Sequence, residues 1–241
     1  MKRVFLSYFT ILMTLLVVSS CGSVMYMSPM ASAPLLEDKG DVSADIKVEL
    51  PSLIIPPAIE ADASFAITDH FGFQFMGQMV EKENRYAQVG AGYFTKVVGH
   101  QVFESFITAG SGLQINYPDN PNSTSTLADK DYTRFSYKQY CIQADYGWKN
   151  MTKAHMDFGL SMRGGIMNYS LLGTTDDVEK VNIRRNIPLL EPMAFFRIGG
   201  EMVKFQIEVS YSTFSNHIDN AEVPRMIESP FCYTMGLNFN F

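Results

Sequence analysis

Few residues of this chain have the type and spacing that chemistry requires. His217 and Asp219 lie two apart in the polar run STFSNHIDNAEVPRMIES, with Ser212 and Ser215 close by. A histidine oriented by a carboxylate can act as a general base, so the pair is a candidate hydrolytic dyad. Asp176-Asp177 forms a loose acidic pair in another polar run, SLLGTTDDVEKVNIRRN. The plainer reading of His217 and Asp219 is a solvated loop. Cys141 and Cys232 are isolated thiols far apart in the chain, without metal-ligand spacing. The chain has no glycine-rich phosphate loop, zinc spacing or EF-hand pattern, so neither a cofactor nor a metal is expected. The expectation is therefore more toward a non-enzyme than an enzyme.

A larger set of charges stands at alternate positions of extended segments. Asp45, Lys47, Glu49, Glu60, Asp62, Glu104, Asp145, Asp157, Arg163, Glu191, Arg197, Lys204 and Glu208 all fall opposite the bulky residues of their segments. Mixed charges on one face of a closed sheet are expected to pair with one another, here as a structural network. A selective pore or a catalytic carboxylate pair are the alternatives. Asp157 is the expected counter-charge for Arg197 and Lys204, which a tight Gly199-Gly200 turn brings nearly opposite.

The segments that carry these charges alternate with a period of two, the signature of strands with one apolar and one polar face. From Asp41, Val42, Ala44, Ile46, Val48 and Leu50 alternate with Asp41, Ser43, Asp45, Lys47 and Glu49. The three prolines of PSLIIPP end that strand. Further strands follow from Ala58 to Ile67, from Phe71, from Ala87 and from Gln101 to Gln114. Next come one around Tyr140 to Trp148, one from His155 to Tyr169, one around Leu190 to Ile198, and one from Val203 to Tyr211. The last is PFCYTMGLNFNF, where Phe231, Tyr233, Met235, Leu237, Phe239 and Phe241 share a face. That makes ten strands, with eight the alternative count.

The connections alternate too. TDH, VVGH, KNMTKA and GGE are short, whereas NYPDNPNSTSTLADKD and the two runs quoted above are long. All three long connections fall after odd-numbered strands, so they share one end of the molecule. Phe65, Phe71, Tyr93, Phe103, Trp148, Phe158, Phe205, Phe239 and Phe241 fall on the apolar face near the short-turn end, as an interfacial girdle would. A lipid-anchored soluble sandwich or lipocalin-like barrel is the competing fold. It would turn the same large residues toward a shared core.

The N-terminus reads MKRVFLSYFTILMTLLVVSSCGS. Lys2 and Arg3 precede an apolar run of about 14 residues, too short to span a bilayer and right for a signal peptide. Val18-Ser19-Ser20-Cys21 resembles the bacterial lipobox, which implies cleavage before Cys21 and acylation of its thiol. Gly22 in place of Asp implies onward sorting to the outer membrane. The stretch GSVMYMSPMASAPLLEDKG has no period of two or of 3.6 and suits a tether or a plug-like segment.

These ends and hairpins together resemble small Gram-negative outer-membrane β-barrel lipoproteins. The resemblance implies an all-β, ten-stranded, antiparallel up-and-down transmembrane barrel over 41–241, a signal peptide over 1–20 and a lipidated periplasmic tether over 21–40. It implies assembly through the strand that ends at Phe241, outer-membrane lipid as the surrounding partner, and both barrel termini in the periplasm. The long loops offer a surface for an extracellular ligand. Omptin-type proteases are also ten-stranded barrels, but His217-Ile-Asp219 reverses the Asp-x-His order expected of them. The net charge of -6 argues against nucleic acid as a partner. The expected role is envelope structure or surface interaction. A hydrolase using His217 and Asp219, or a narrow channel, are the alternatives.

Overall fold

The computed structural model describes residues 31–49, 57–80, 84–116, 132–174, 181–212 and 231–241. Ten strands follow in order: β1 Val42–Glu49, β2 Ala58–Ala66, β3 Phe71–Val80, β4 Asn84–Lys96, β5 Gln101–Asn116, β6 Tyr132–Trp148, β7 Asp157–Thr174, β8 Val181–Gly199, β9 Val203–Tyr211 and β10 Phe231–Asn240. Each pairs antiparallel with its neighbours in sequence. The sheet closes into a barrel where β1 meets β10, from Ser43 opposite Asn240 to Glu49 opposite Thr234. Closure removes the exposed edges that an open sheet would present.

The alternation read in the sequence is the alternation of the wall. Ile46, Ile59, Ile107, Ile142 and Leu160 point outward and are exposed, while Lys47, Glu60, Glu104, Gln143 and Arg163 point inward and are buried. A soluble barrel would reverse the two sets. Apolar outside and ionic inside is the distribution of a transmembrane β-barrel, in which acyl chains cover the outer face. At one end the outward rings touch. Tyr146 packs on Trp148 with centroids 5.1 Å apart, Trp148 on Phe158 at 4.8 Å and Phe71 on Tyr93 at 5.8 Å. This end carries the short turns. In one of them the Thr68 hydroxyl accepts from the amides of Phe71 and His70, at 2.9 and 3.3 Å.

Toward the other end the outward face changes character along one register line. Ala109, Tyr140, Ile166 and Pro188 face one another across β5 to β8. Two residues farther on, the row is Ser111, Lys138, Asn168 and Asn186. The apolar belt therefore ends at the first row, and β5 to β8 continue beyond it into water.

That continuation corrects the loop assignment. The run 170–186, expected as a loop, is largely paired: Tyr169 faces Arg185, Leu171 faces Ile183 and Gly173 faces Val181. Likewise β6 starts at Tyr132, well before the alternation that begins near Gln139. Above the belt the large residues, among them Phe135, Tyr137 and Ile187, turn inward and are buried while Lys138 and Asn186 face out, so the apolar positions change parity and the period read lower down breaks although the ladder goes on.

One segment inside the wall is not a strand. Ala31, Ser32, Ala33, Leu35 and Leu36 lie in the bore, each at most 2% exposed. The chain then reaches the short-turn rim, where the Asp41 carboxylate accepts from the amides of Glu37 and Asp38, at 3.0 and 3.2 Å. Gly40, at φ 94°, makes the turn into β1, and its amide donates to the Ala66 carbonyl at 3.0 Å. A side chain there would strain the backbone, which explains a glycine at this corner.

Candidate functional site in the barrel lumen

Alternate residues of all ten strands converge on the bore, so the lumen is where the chain concentrates its polar chemistry. Among the described residues nine buried carboxylates (Asp45, Glu49, Glu60, Asp62, Glu104, Asp145, Asp157, Glu191, Glu208) face four buried cations (Lys47, Arg163, Arg197, Lys204). Cations alone cannot neutralise that set, so neutral donors must serve the rest.

Lys47 is the hub. Its ammonium lies 2.7 Å from Glu60, 2.9 Å from Asp62 and 3.2 Å from Glu208, and Thr234 donates to Glu208 at 3.0 Å. Glu60 and Lys47 are direct cross-strand partners. Arg163 and Glu191 are likewise opposite each other on β7 and β8, and the guanidinium grips the carboxylate through Nε and Nη2, with Nε at 2.5 Å. Lys204 reaches Asp157 at 2.7 Å, and the Asn150 amide donates to the same carboxylate at 2.8 Å. Arg197 does not oppose Lys204. Its register partners are Asp157 and Gln206, it donates to Gln206 at 2.8 Å, and its guanidinium lies 4.9 Å over the Phe195 ring.

The neutral donors include the segment in the bore. The Glu104 carboxylate accepts from the amides of Leu35 and Leu36, at 2.9 and 2.7 Å. Leu35 holds φ 54°, an uncommon conformation for a bulky residue. Two successive N–H groups converging from such a turn make an anion-binding nest. The segment's carbonyls are bound from the wall. Arg197 donates to Ala33 and Lys149 to Leu35, at 2.8 and 3.0 Å, and Gln143 donates to Ser32. The Ser32 hydroxyl donates to Asp62 at 2.5 Å. Elsewhere Gln143 serves Asp145, Asn238 serves Asp45, and Gln78 and Cys232 serve Glu49.

Beyond the ionic layer, toward the long-loop end, the lumen turns aromatic. Tyr86 stacks on Tyr137 at 5.6 Å, Tyr137 on Phe135 at 5.2 Å, and Phe135 meets Tyr169 at 5.4 Å. Gly110 and Gly112 stand beneath Tyr86 and Tyr137, where a Cβ would run into the rings. Sequence reasoning missed this layer, although Tyr86 shares the parity of Gln88. It also left residues 31–36 open between tether and plug, because a segment bound through its backbone carries no side-chain period.

The other expected site residues fall elsewhere. Cys21, His217, Asp219, Asp176 and Asp177 lie outside the described residues. His70, His100 and His155 are at short turns. His70 stacks on Tyr93 at 5.6 Å, and His155 is 3.9 Å from Glu201. Cys141 and Cys232 are buried, and neither is in a disulfide. No group of described residues is arranged to hold a metal ion.

No protein-family model matches the chain, and no curated protein matches it by sequence. Among solved structures, the chain is similar to the KdgM porin, at 11% identity over 83% of this chain and 99% of that one, with a TM-score of 0.37. The same porin in complex with disordered oligogalacturonate gives the same values. The TodX monoaromatic hydrocarbon channel, in its deltaS2 mutant form, is 9% identical over 87% of this chain and 69% of that one, with a TM-score of 0.35. At such TM-scores nothing about cargo or activity passes from those channels to this chain.

Proposed function

We propose that this protein is a lipid-anchored outer-membrane β-barrel with a closed bore, non-catalytic, serving envelope structure or surface interaction at its long-loop end. The observation that carries the reading is the lumen. Residues 31–36 fill the short-turn half, its ions are paired with one another or held by neutral donors, and an aromatic layer lies above. A ten-stranded wall is only slightly wider than one whose interior side chains already fill, so these three layers suffice to block it. Outer-membrane lipid is the partner of the apolar belt, and the strand ending at Phe241 is the one offered to the assembly machinery. At the loop end, Lys138, Arg184 and Arg185 border a hollow of about 630 Å³, with no carboxylate among its described lining residues. A surface ligand meeting that hollow would be anionic.

The test is conductance. Purified full-length protein reconstituted in a planar bilayer is expected to pass no steady ionic current, and a stable open level would replace this reading with the narrow channel. Peptide and lipid hydrolysis by the same preparation is expected at background. Turnover abolished by His217→Ala would instead install the hydrolase that uses His217 and Asp219.

A further inference from the structure

The outer wall has a second boundary, at the upper edge of the apolar belt on β5 to β8. Lys138 stands ten residues before Trp148 on β6. At about 3.3 Å per residue along a strand tilted roughly 40°, that is about 25 Å of height, the full thickness of an apolar band. Trp148 belongs to the aromatic girdle at one interface, so Lys138 stands at the headgroup level of the other. Just below it Tyr140 and Ile166 face each other across β6 and β7, both pointing outward and exposed. Further cations share this level. Ser136, Ser170 and Arg184 form the next row across β6 to β8, and Arg85 joins that row through Leu113. Arg134 lies one outward position beyond Ser136 on β6. Arg85, Arg134, Lys138 and Arg184 are all exposed. Every carboxylate of the described strands is buried in the bore, so none of those carboxylates faces these four.

The hollow of about 630 Å³ lies within this row, where Lys138 and Arg184 share its lining with Ser111, Asn168 and Asn186. A soluble anion would use the cations alone. These cations stand directly on an apolar wall, and a single ligand that covers both must be an amphiphile. We propose that the hollow seats the headgroup of a phosphorylated glycolipid of the outer leaflet. Arg184 takes a phosphate through two parallel N–H donors and Lys138 meets it as a point charge. Asn168, Asn186 and the serines serve the sugar hydroxyls, and the acyl chains lie against Tyr140 and Ile166. A zwitterionic phospholipid brings its own ammonium and gains less from the two side-chain cations. This inference rests on the outer-membrane reading above, and names the anionic partner of its long-loop end.

Titration of the purified full-length protein, in neutral detergent, with diphosphoryl lipid A tests it, bound lipid being counted by native mass spectrometry. Wild type is expected to hold lipid A at least about tenfold more tightly than the same lipid stripped of its phosphates. The double variant Lys138→Gln, Arg184→Gln is expected to lose about tenfold or more in affinity for lipid A. Lys153→Gln, at an exposed short turn, is expected to bind as wild type does. The comparison of the two lipids on wild type needs no variant, so it decides the matter even where the double variant does not fold. Equal binding of the two lipids, or a folded double variant that binds as wild type does, overturns the proposal and leaves the barrel reading standing. A loss of the same size in Lys153→Gln would mean diffuse charge attraction and overturns the site. Displacement of lipid A by millimolar inorganic phosphate would make the hollow a place for soluble anions and overturns the lipid assignment. A protein that stays monodisperse in water without detergent overturns the outer-membrane reading, and this proposal with it.

Discussion

Lys47 is fully buried among three carboxylates, and its own attraction to them is what makes their burial tolerable. Removing one partner of a buried ionic group leaves an uncompensated charge and costs about 3–5 kcal/mol, whereas removing both sides is often near neutral. Lys47→Met is therefore expected to be the most damaging neutralisation of a lumen cation, since it strands Glu60, Asp62 and Glu208 together. Combining it with Glu60→Gln and Asp62→Asn should recover much of the loss. The temperature at which the folded band disappears in unheated-versus-heated gel electrophoresis reads both. A Lys47→Met protein that melts with wild type would show that the network does not stabilise the barrel.

At the scale of elements, the wall was legible where lipid lies outside and ions lie inside, because the two environments impose opposite side chains on successive residues. β1, β9 and β10 are such strands, and their registers follow the alternation read in the sequence. The extensions of β6, β7 and β8 were not legible, since Lys138, Asn168 and Arg184 meet water on a face that carries bulky apolar residues lower down. The segment 31–36 was illegible for a different reason: Glu104, Arg197 and Gln143 hold its peptide groups, which every sequence shares. Closure depends on a single small residue in β10. Gly236 faces Lys47 across the β1–β10 pairing, and a Cβ there would run into the Ile46 carbonyl and the Lys47 backbone. Because backbone cannot step aside as a side chain can, Gly236→Val is expected to exceed the roughly 1–3 kcal/mol of ordinary overpacking. Its neighbour Met235, outward and exposed, provides the control: Met235→Val should assemble normally. Equal yields of heat-modifiable barrel from the two variants would mean that β1 and β10 do not pair in this register.

At the scale of the whole molecule, the question is what solvent the outer face meets, and one strand holds both halves of the answer. Ile107 and Ser111 lie on β5 and point the same way, four residues apart. Ile107 is 70% exposed, opposite Ile142 in the middle of the apolar belt, while Ser111 belongs to the polar row beyond it. In a water-soluble barrel, arginine at either exposed site would change stability by no more than about 0.5 kcal/mol. In a bilayer the cost depends on depth, about 2–4 kcal/mol at the midplane and about 0–1 near the interface. Ile107→Arg is therefore expected to lower the folding free energy in phospholipid vesicles by about 2–4 kcal/mol, and Ser111→Arg by less than about 1 kcal/mol. Urea titration of tryptophan emission follows both, with Trp148 in the girdle of adjacent β6 as the reporter. Two equal and negligible losses would put water, not acyl chains, against Ile107, and the apolar exterior would then have to be covered by protein.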